Sequence, residues 1–449
     1  MVGARHARIA VGLAVAAVVV LAPEAALAAE PTPTALRTVL TLLAILGAAY
    51  LITHLALERI ARRFAVVTGV EYILVGAALG PVLGVIDAET TRLLRPALTL
   101  GTGALGLLAG LSLRFAGFER QDLRSFSSAL MVSLVTLAAV VGLPAVLLSQ
   151  LGGERLSFWL PGLLLLGAVA LVADPSPVQS LARFLQAKGA APAFGARTAD
   201  FCSMLAVLAF GGVFCVYEGG PMLGRRALPS WAWFLLQLAV GVVLGLVFRA
   251  LLRAERRPER LLPVLIGIVT FTSGVAFYLR VSVIFTSLVL GAVLVNTFER
   301  GEQLRHRLAS VRRPLHIVLF FFAGVFLRLD VPWWAYALGL PYVALRVWGR
   351  SLGGAFARRL AVADSPPLPG PGPALLAPGG LSVAMMLNFR ISYQDHAPLP
   401  EIYSALLLGV VLSEVLAYLL ARRWLIDAAD VPPALAERRG GFEELEELR

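Results

Sequence analysis

The chain is poor in the residues that build many kinds of site. It has two cysteines, Cys202 and Cys215, both in one apolar segment. That excludes a disulfide framework and a thiolate metal-ligand spacing. Its five histidines, His6, His54, His306, His316 and His396, are scattered, with no pairing that suggests a metal site. Charge is scarcest of all. Only 15% of the 449 residues are charged, whereas 58% are hydrophobic and the mean hydropathy is +0.81. A soluble domain has about a quarter charged residues. The composition therefore predicts an all-α polytopic membrane protein. The net charge of +11 would point to nucleic acid in a soluble chain. Here the basic residues sit in short loops between apolar spans, so the positive-inside rule accounts for them and no nucleic-acid partner is expected.

What is present is a series of apolar runs. Arg5 and Arg8 precede the first, Ile9 to Leu21, and Ala26-Leu27-Ala28 offers a small-residue cleavage site. This reads as a secretory signal peptide over 1–29, with an uncleaved extra helix as the alternative. Thirteen further segments follow, near 35–57, 69–86, 94–113, 127–150, 157–182, 199–217, 231–252, 261–279, 281–298, 314–328, 331–357, 373–390 and 401–421. Together they define a transmembrane region over 30–428, and a short charged tail covers 429–449. The loops alternate in charge. One side carries groups such as Arg59, Arg62 and Arg63, then Arg249 to Arg260, then Arg300, Arg305, Arg307, Arg312 and Arg313, and finally the tail. The other side holds far fewer. This places the C-terminus in the cytoplasm and the mature N-terminus outside, as a cleaved signal would deliver it.

Two segments are interrupted. The fifth reads GLLLLGAVALVADPSPVQSLARFL from Gly162 to Leu185, broken at Asp174, Pro175, Ser176 and Pro177. Each proline removes a backbone donor and crowds the carbonyl four residues back. Lipid cannot satisfy the freed groups, so such a break lines a protein-enclosed cavity, and an ionisable residue there is a functional candidate. The simpler alternative is a loop between two short helices. The twelfth segment breaks at Ala377-Pro378-Gly379-Gly380. With the seventh segment as a linker, segments 1–6 and 8–13 form two inverted sixes, each interrupted in fifth place. That pattern predicts two crossing broken helices at a transporter's binding site.

In these residues the chain resembles the monovalent cation:proton antiporters. GVEYILVGAALGPVLGVI (Gly69 to Ile86) is similar to a family helix whose Gly-rich run ends in Gly-Pro. LGLLAGLSLRFAGFER, VSVIFTSLVLGAVLVNTFER and FFFAGVFLRLD resemble later family helices in the right order. ADPSPV resembles the Thr-Asp-Pro of the first broken helix, with Ala173 in place of Thr. The resemblance implies a sodium/proton antiporter-like fold, a homodimer and exchange of Na⁺ or K⁺ for protons in a bacterial-type inner membrane, with no cofactor or bound metal. It also implies an Asn-Asp or Asp-Asp pair in the sixth segment. Here that segment reads RTADFCSMLAVLAFGGVF, and strict spacing puts Cys202 and Ser203 on the pair. A short gap puts Ala199-Asp200 there instead. Asp200 is the segment's only acid and shares a helix face with Ser203, although Asp is also a favoured helix N-cap.

The family's membrane-embedded basic residue, which pairs with the core acids, falls on Arg350, with Arg346 one turn earlier as runner-up. The plainer alternative has both snorkelling to the cytoplasmic edge. Asn296 is either a polar contact or a helix end, and Ser382 is placed to meet backbone groups freed by the second break. The cation/proton-binding candidates are thus Asp200, Asp174 and Ser203, framed by Pro175, Pro177, Pro378, Gly379 and Gly380. Two rival functions stand beside exchange. One is a non-transporting relative acting as a membrane sensor or scaffold. The other is an intramembrane aspartyl protease using Asp174 and Asp200, whose flanking residues match no such motif.

Overall fold

The computed structural model describes residues 69–86, 88–114, 120–151, 153–216, 229–254, 261–360, 369–393, 398–428 and 431–432. The predicted signal, the first predicted segment at 35–57 and nearly all of the tail lie outside them. Among the described residues the chain is helical, with no strand. Six helices are long and apolar enough to cross a membrane: Thr90–Leu111, Asp122–Gln150, Phe158–Phe184, Ala191–Val216, Ser230–Arg253 and Leu399–Asp427. Shorter apolar helices cover Val70–Val82, Pro263–Tyr278 and Val283–Thr297. Each of the predicted segments from 69–86 onward falls on a helix or on an interrupted pair of helices. Large apolar side chains such as Leu147, Phe271 and Trp231 point outward. On a soluble surface they would drive aggregation; in a multi-pass membrane protein they face hydrocarbon.

The chain divides into two units. The first comprises Met1–Pro96, Phe320–Leu327 and Arg439–Arg449. In its described part, helix α1 (Val70–Ala77) continues through a wide turn at Ala78–Val82 and packs against Phe320–Leu327. The approach is close: a Cβ on Gly76 or Gly324 would collide with the backbone of Phe321 or Ile73.

The second unit comprises Ala97–Leu319 and Arg328–Arg438. Helix α2 (Ala88–Leu111) brings its C-terminal half here and lies against α10 (Val283–Thr297). Small residues allow the two backbones to touch, since a Cβ on Gly106 would fall 2.5 Å from the Ile284 carbonyl. Helices α3 (Arg120–Leu137), α4 (Leu143–Gln150) and α5 (Gly153–Leu171) follow. Next come α6 (Ser176–Phe184), α7 (Ala191–Val216), α8 (Ser230–Ala254) and α9 (Leu261–Tyr278). After α10 come α11 (Gly301–Val325), which belongs to this unit as far as Leu319, the short α12 (Trp333–Ala337) and α13 (Gly339–Leu360). A 3₁₀ turn (Gly372–Leu375), α14 (Gly379–Ser392) and α15 (Leu399–Asp427) complete the unit.

Two predicted boundaries are corrected. The sixth segment begins at Ala191, not near 199, so Asp200 lies more than two turns inside α7 and is not an N-cap. The tenth begins at Gly301, not near 314, so Arg305 and Arg312 are helical residues of α11 and not loop charges. Pro314 sits inside that helix. The low hydropathy of its first turns and the proline together disguise them as a loop.

Candidate functional site

The fifth segment is interrupted between α5 and α6, and the twelfth between the 3₁₀ turn and α14. The two interruptions meet: the Asp174 amide donates to the Ala377 carbonyl at 2.8 Å. ADPSPV is therefore a buried crossing and not an exposed loop, and Asp174 itself is 9% exposed.

Each exposed helix end at the crossing carries partial charge, positive at N-termini and negative at C-termini. Asp174 caps the start of α6. Its Oδ1 accepts from the Ser176 amide at 2.8 Å and from the Ser176 hydroxyl at 2.5 Å. At the start of α14, the Gly379 amide donates to Glu414 Oε1 of α15 at 2.7 Å. Gly379 has φ of +59°, and a Cβ there would run into the Asp174 carboxylate, so only glycine fits. Gly380 packs against the His316 ring in the same way.

The C-terminal ends are met by two guanidiniums. Arg346 Nε and Nη2 donate to the Ala170 and Val172 carbonyls at 3.1 and 2.7 Å. Arg350 Nη2 donates to the same two at 2.8 and 2.7 Å, and its Nη1 reaches the Leu375 carbonyl across the second break. Both side chains are fully buried, which excludes snorkelling. The expected pairing of Arg350 with the core acids is also corrected: its described hydrogen bonds go to backbone carbonyls, because the freed carbonyls of two half-helices are the nearest negative groups.

A cavity of about 210 Å³ opens beside the crossing. Asp174, Asp200 and Ser203 line it together with Pro175, Pro378, Arg305, Arg312 and His316. Ser203 ties α7 to the first break, its hydroxyl donating to the Ala173 carbonyl at 2.6 Å and accepting from the Ala173 amide at 3.3 Å. Cys202 points the other way, fully buried among Ala129, Val132 and Phe201. Arg312 Nη2 lies 3.4 Å from Asp174 Oδ1. The Asp200 carboxylate has no hydrogen bond among the described residues.

The remaining candidates do not line this cavity. Asn296, near the end of α10, donates to the Leu113 carbonyl at 2.7 Å and the Ala292 carbonyl at 2.8 Å, stapling α10 to the end of α2. Ser382 donates to the Gly379 carbonyl at 2.7 Å within α14's first turn. Pro177 is buried in α6.

Sequence reasoning missed three residues: Arg312, His316 and Glu414. The signal for Glu414 was present, an acid within the apolar run 401–421. Arg312 was hidden in a basic run, and His316 had no partner in sequence.

The sequence matches no family model and no curated protein. Among solved structures it is similar to the sodium proton antiporter MjNhaP1 from Methanocaldococcus jannaschii at pH 8. The identity is 15% and the TM-score 0.62, over 86% of this chain and 99% of that one. An electron-microscopy map of the same antiporter gives 14% identity and a TM-score of 0.61, over 86% and 98%. The fold of this chain is that of a sodium/proton antiporter.

Proposed function

We propose that the chain is a secondary active antiporter that exchanges a monovalent cation, Na⁺ or K⁺, for H⁺ by alternating access. The observation that carries the reading is the pairing of Asp174 and Asp200 in one cavity beside two crossing half-helices. The two acids differ in availability. Asp174 is engaged by Ser176 and Arg312, whereas Asp200 has no hydrogen bond among the described residues. Asp200 is then the carrier. A carboxylate is a hard oxygen ligand that also titrates, so one group holds either a cation or a proton. Ser203 adds a neutral oxygen beside it.

The exchange is electroneutral in this reading. One carboxylate titrates per cycle, and Arg350 and Arg346 hold their charge because guanidinium does not deprotonate in proteins. The protein works as a homodimer in a bacterial-type inner membrane, with residues 1–29 removed as a signal, the mature N-terminus outside and the tail 429–449 in the cytoplasm. It is a transporter and not an enzyme: the acids' neighbours are helix ends and basic side chains, an arrangement suited to holding an ion.

The test is cation-driven proton flux in proteoliposomes. Asp200→Asn is expected to lower the rate by about 100-fold or more, in keeping with loss of the only titrating group, while the protein still inserts and elutes as a single species. Flux close to wild type in that variant would remove Asp200 from the carrier role. Exchange that follows an imposed membrane potential would overturn electroneutrality. A wild-type protein that moves no proton with any alkali cation would favour the scaffold reading.

A further inference from the structure

Arg312 is unlike the other guanidiniums near the crossing. Arg346 and Arg350 are fully buried and fixed by two and three backbone carbonyls respectively. Arg312 has a single described bond, the 3.4 Å contact with Asp174, and its side chain is 43% exposed while that of Asp174 is 10% exposed. It lines the cavity that Asp200 also lines. One loosely held cation thus sits on Asp174 in a cavity that also holds Asp200. A solute cation drawn to the Asp174 carboxylate would need the place that this guanidinium occupies.

The local backbone leaves room for movement. Pro314 lies two residues further along α11 and lacks an N–H, so the helical bond at that turn is missing. The three-methylene stem of Arg312 adds reach of its own.

We infer that Arg312 is a tethered competitor for the transported cation: it occupies the place beside Asp174 in the cavity lined by Asp200 when the site is empty and leaves when a cation enters. This rests on the exchange reading above. Its presence relieves repulsion between two carboxylates in the empty site and weakens cation binding, because each arriving ion must displace a charge already there. Arg312 is a positioning residue that tunes affinity and carries neither ion nor proton.

The experiment is the cation dependence of exchange in proteoliposomes at one fixed alkaline pH, with Na⁺ and K⁺ titrated separately. Arg312→Gln is expected to lower the half-saturating cation concentration about three- to fivefold, the upper size of one partly exposed ion pair. Arg312→Lys, which keeps the charge, is expected to stay within about twofold of wild type. Loss of a merely structural residue would raise the half-saturating concentration or leave it unchanged, and either result overturns the inference. A second measurement does not depend on the glutamine variant folding. Added guanidinium ion is expected to inhibit Arg312→Ala competitively against the cation and to inhibit wild type far less. Equal inhibition of both, or none, overturns the inference. If wild type itself exchanges no alkali cation, the exchange reading falls and the inference with it; active wild type with unshifted variants sinks the inference alone.

Discussion

At the first interruption a carboxylate, Asp174, receives the amide of Ser176 at the start of α6; at the second, Glu414 receives the amide of Gly379 at the start of α14. Both acids offset the partial positive charge of a half-helix, and both are buried, at 9% and 4% exposure. Their surroundings differ. Asp174 belongs to the interruption itself, lines the cavity and faces Arg312. Glu414 comes from a neighbouring helix and does not line the cavity. The same electrostatic role is thus filled twice, once where a solute can reach it and once where packing seals it. The sealed copy is a fixed part of the fold, and the open copy is available for function.

The strongest way to break this comparison is to remove a side chain that joins its two sides. Among the described side chains Arg350 reaches carbonyls of both interruptions, Ala170 and Val172 on one and Leu375 on the other. Arg350→Ala leaves the Leu375 carbonyl without that donor and opens a void in a closed interior. The expected cost is roughly 3–5 kcal/mol, from a buried acceptor left unsatisfied together with the void of a large side chain. Thermal unfolding in detergent would show a large drop or no folded protein at all. Arg346→Ala is expected to cost less, because Arg350 also serves the Ala170 and Val172 carbonyls. Equal losses for the two variants would mean that the span across both breaks has no special weight.

A smaller effect separates the two acids. Asp174→Asn and Glu414→Gln each weaken a charged cap at a helix N-terminus, and each is expected to lower stability by about 1–2 kcal/mol. Only Asp174→Asn is expected to change cation affinity, since only Asp174 shares the cavity with Asp200 and Arg312. A Glu414→Gln protein with altered half-saturation and unchanged stability would show that the sealed acid also reaches the ion.

These pairs also show what was legible in the sequence. The crossings were, because proline and glycine interrupt apolar runs for reasons that act on the backbone alone. Asp174 was legible with them, since a charge at such a break stands out against hydrocarbon. The placement of Asp200 beside Ser203 followed from helical spacing once α7 was assumed. Partners were not legible. Arg350 was found, but its expected acid partner gave way to carbonyls that become available only when two half-helices end against each other. Arg312 was misread for a physical reason: a run of arginines before a proline has the composition of a loop, and only tertiary packing turns its polar face toward a cavity. Glu414 belongs to a helix without any interruption, so nothing local marked it as the partner of Gly379.

The smallest expected effect tests whether the first crossing is held from outside in a way the second is not. Ser203 of α7 makes two bonds with Ala173, giving its hydroxyl hydrogen to the carbonyl and accepting the amide. The hydroxyl at the second crossing, Ser382, bonds only the Gly379 carbonyl three residues back in its own helix. Ser203→Ala therefore removes a contact between separate elements and leaves both polar groups of Ala173 without that partner. The expected cost is about 1 kcal/mol, with water from the adjoining cavity limiting it. Ser382→Ala removes a local bond of the kind that competes with the helix's own ladder, and a few tenths of a kcal/mol are expected. Parallel thermal unfolding of the two variants in one detergent would check the ordering. Flux in both should persist, because neither serine is the titrating group. Should Ser203→Ala keep its stability but lose cation affinity, the hydroxyl is a ligand first and a staple second, and the first crossing is then held by its own backbone and by Arg346 and Arg350.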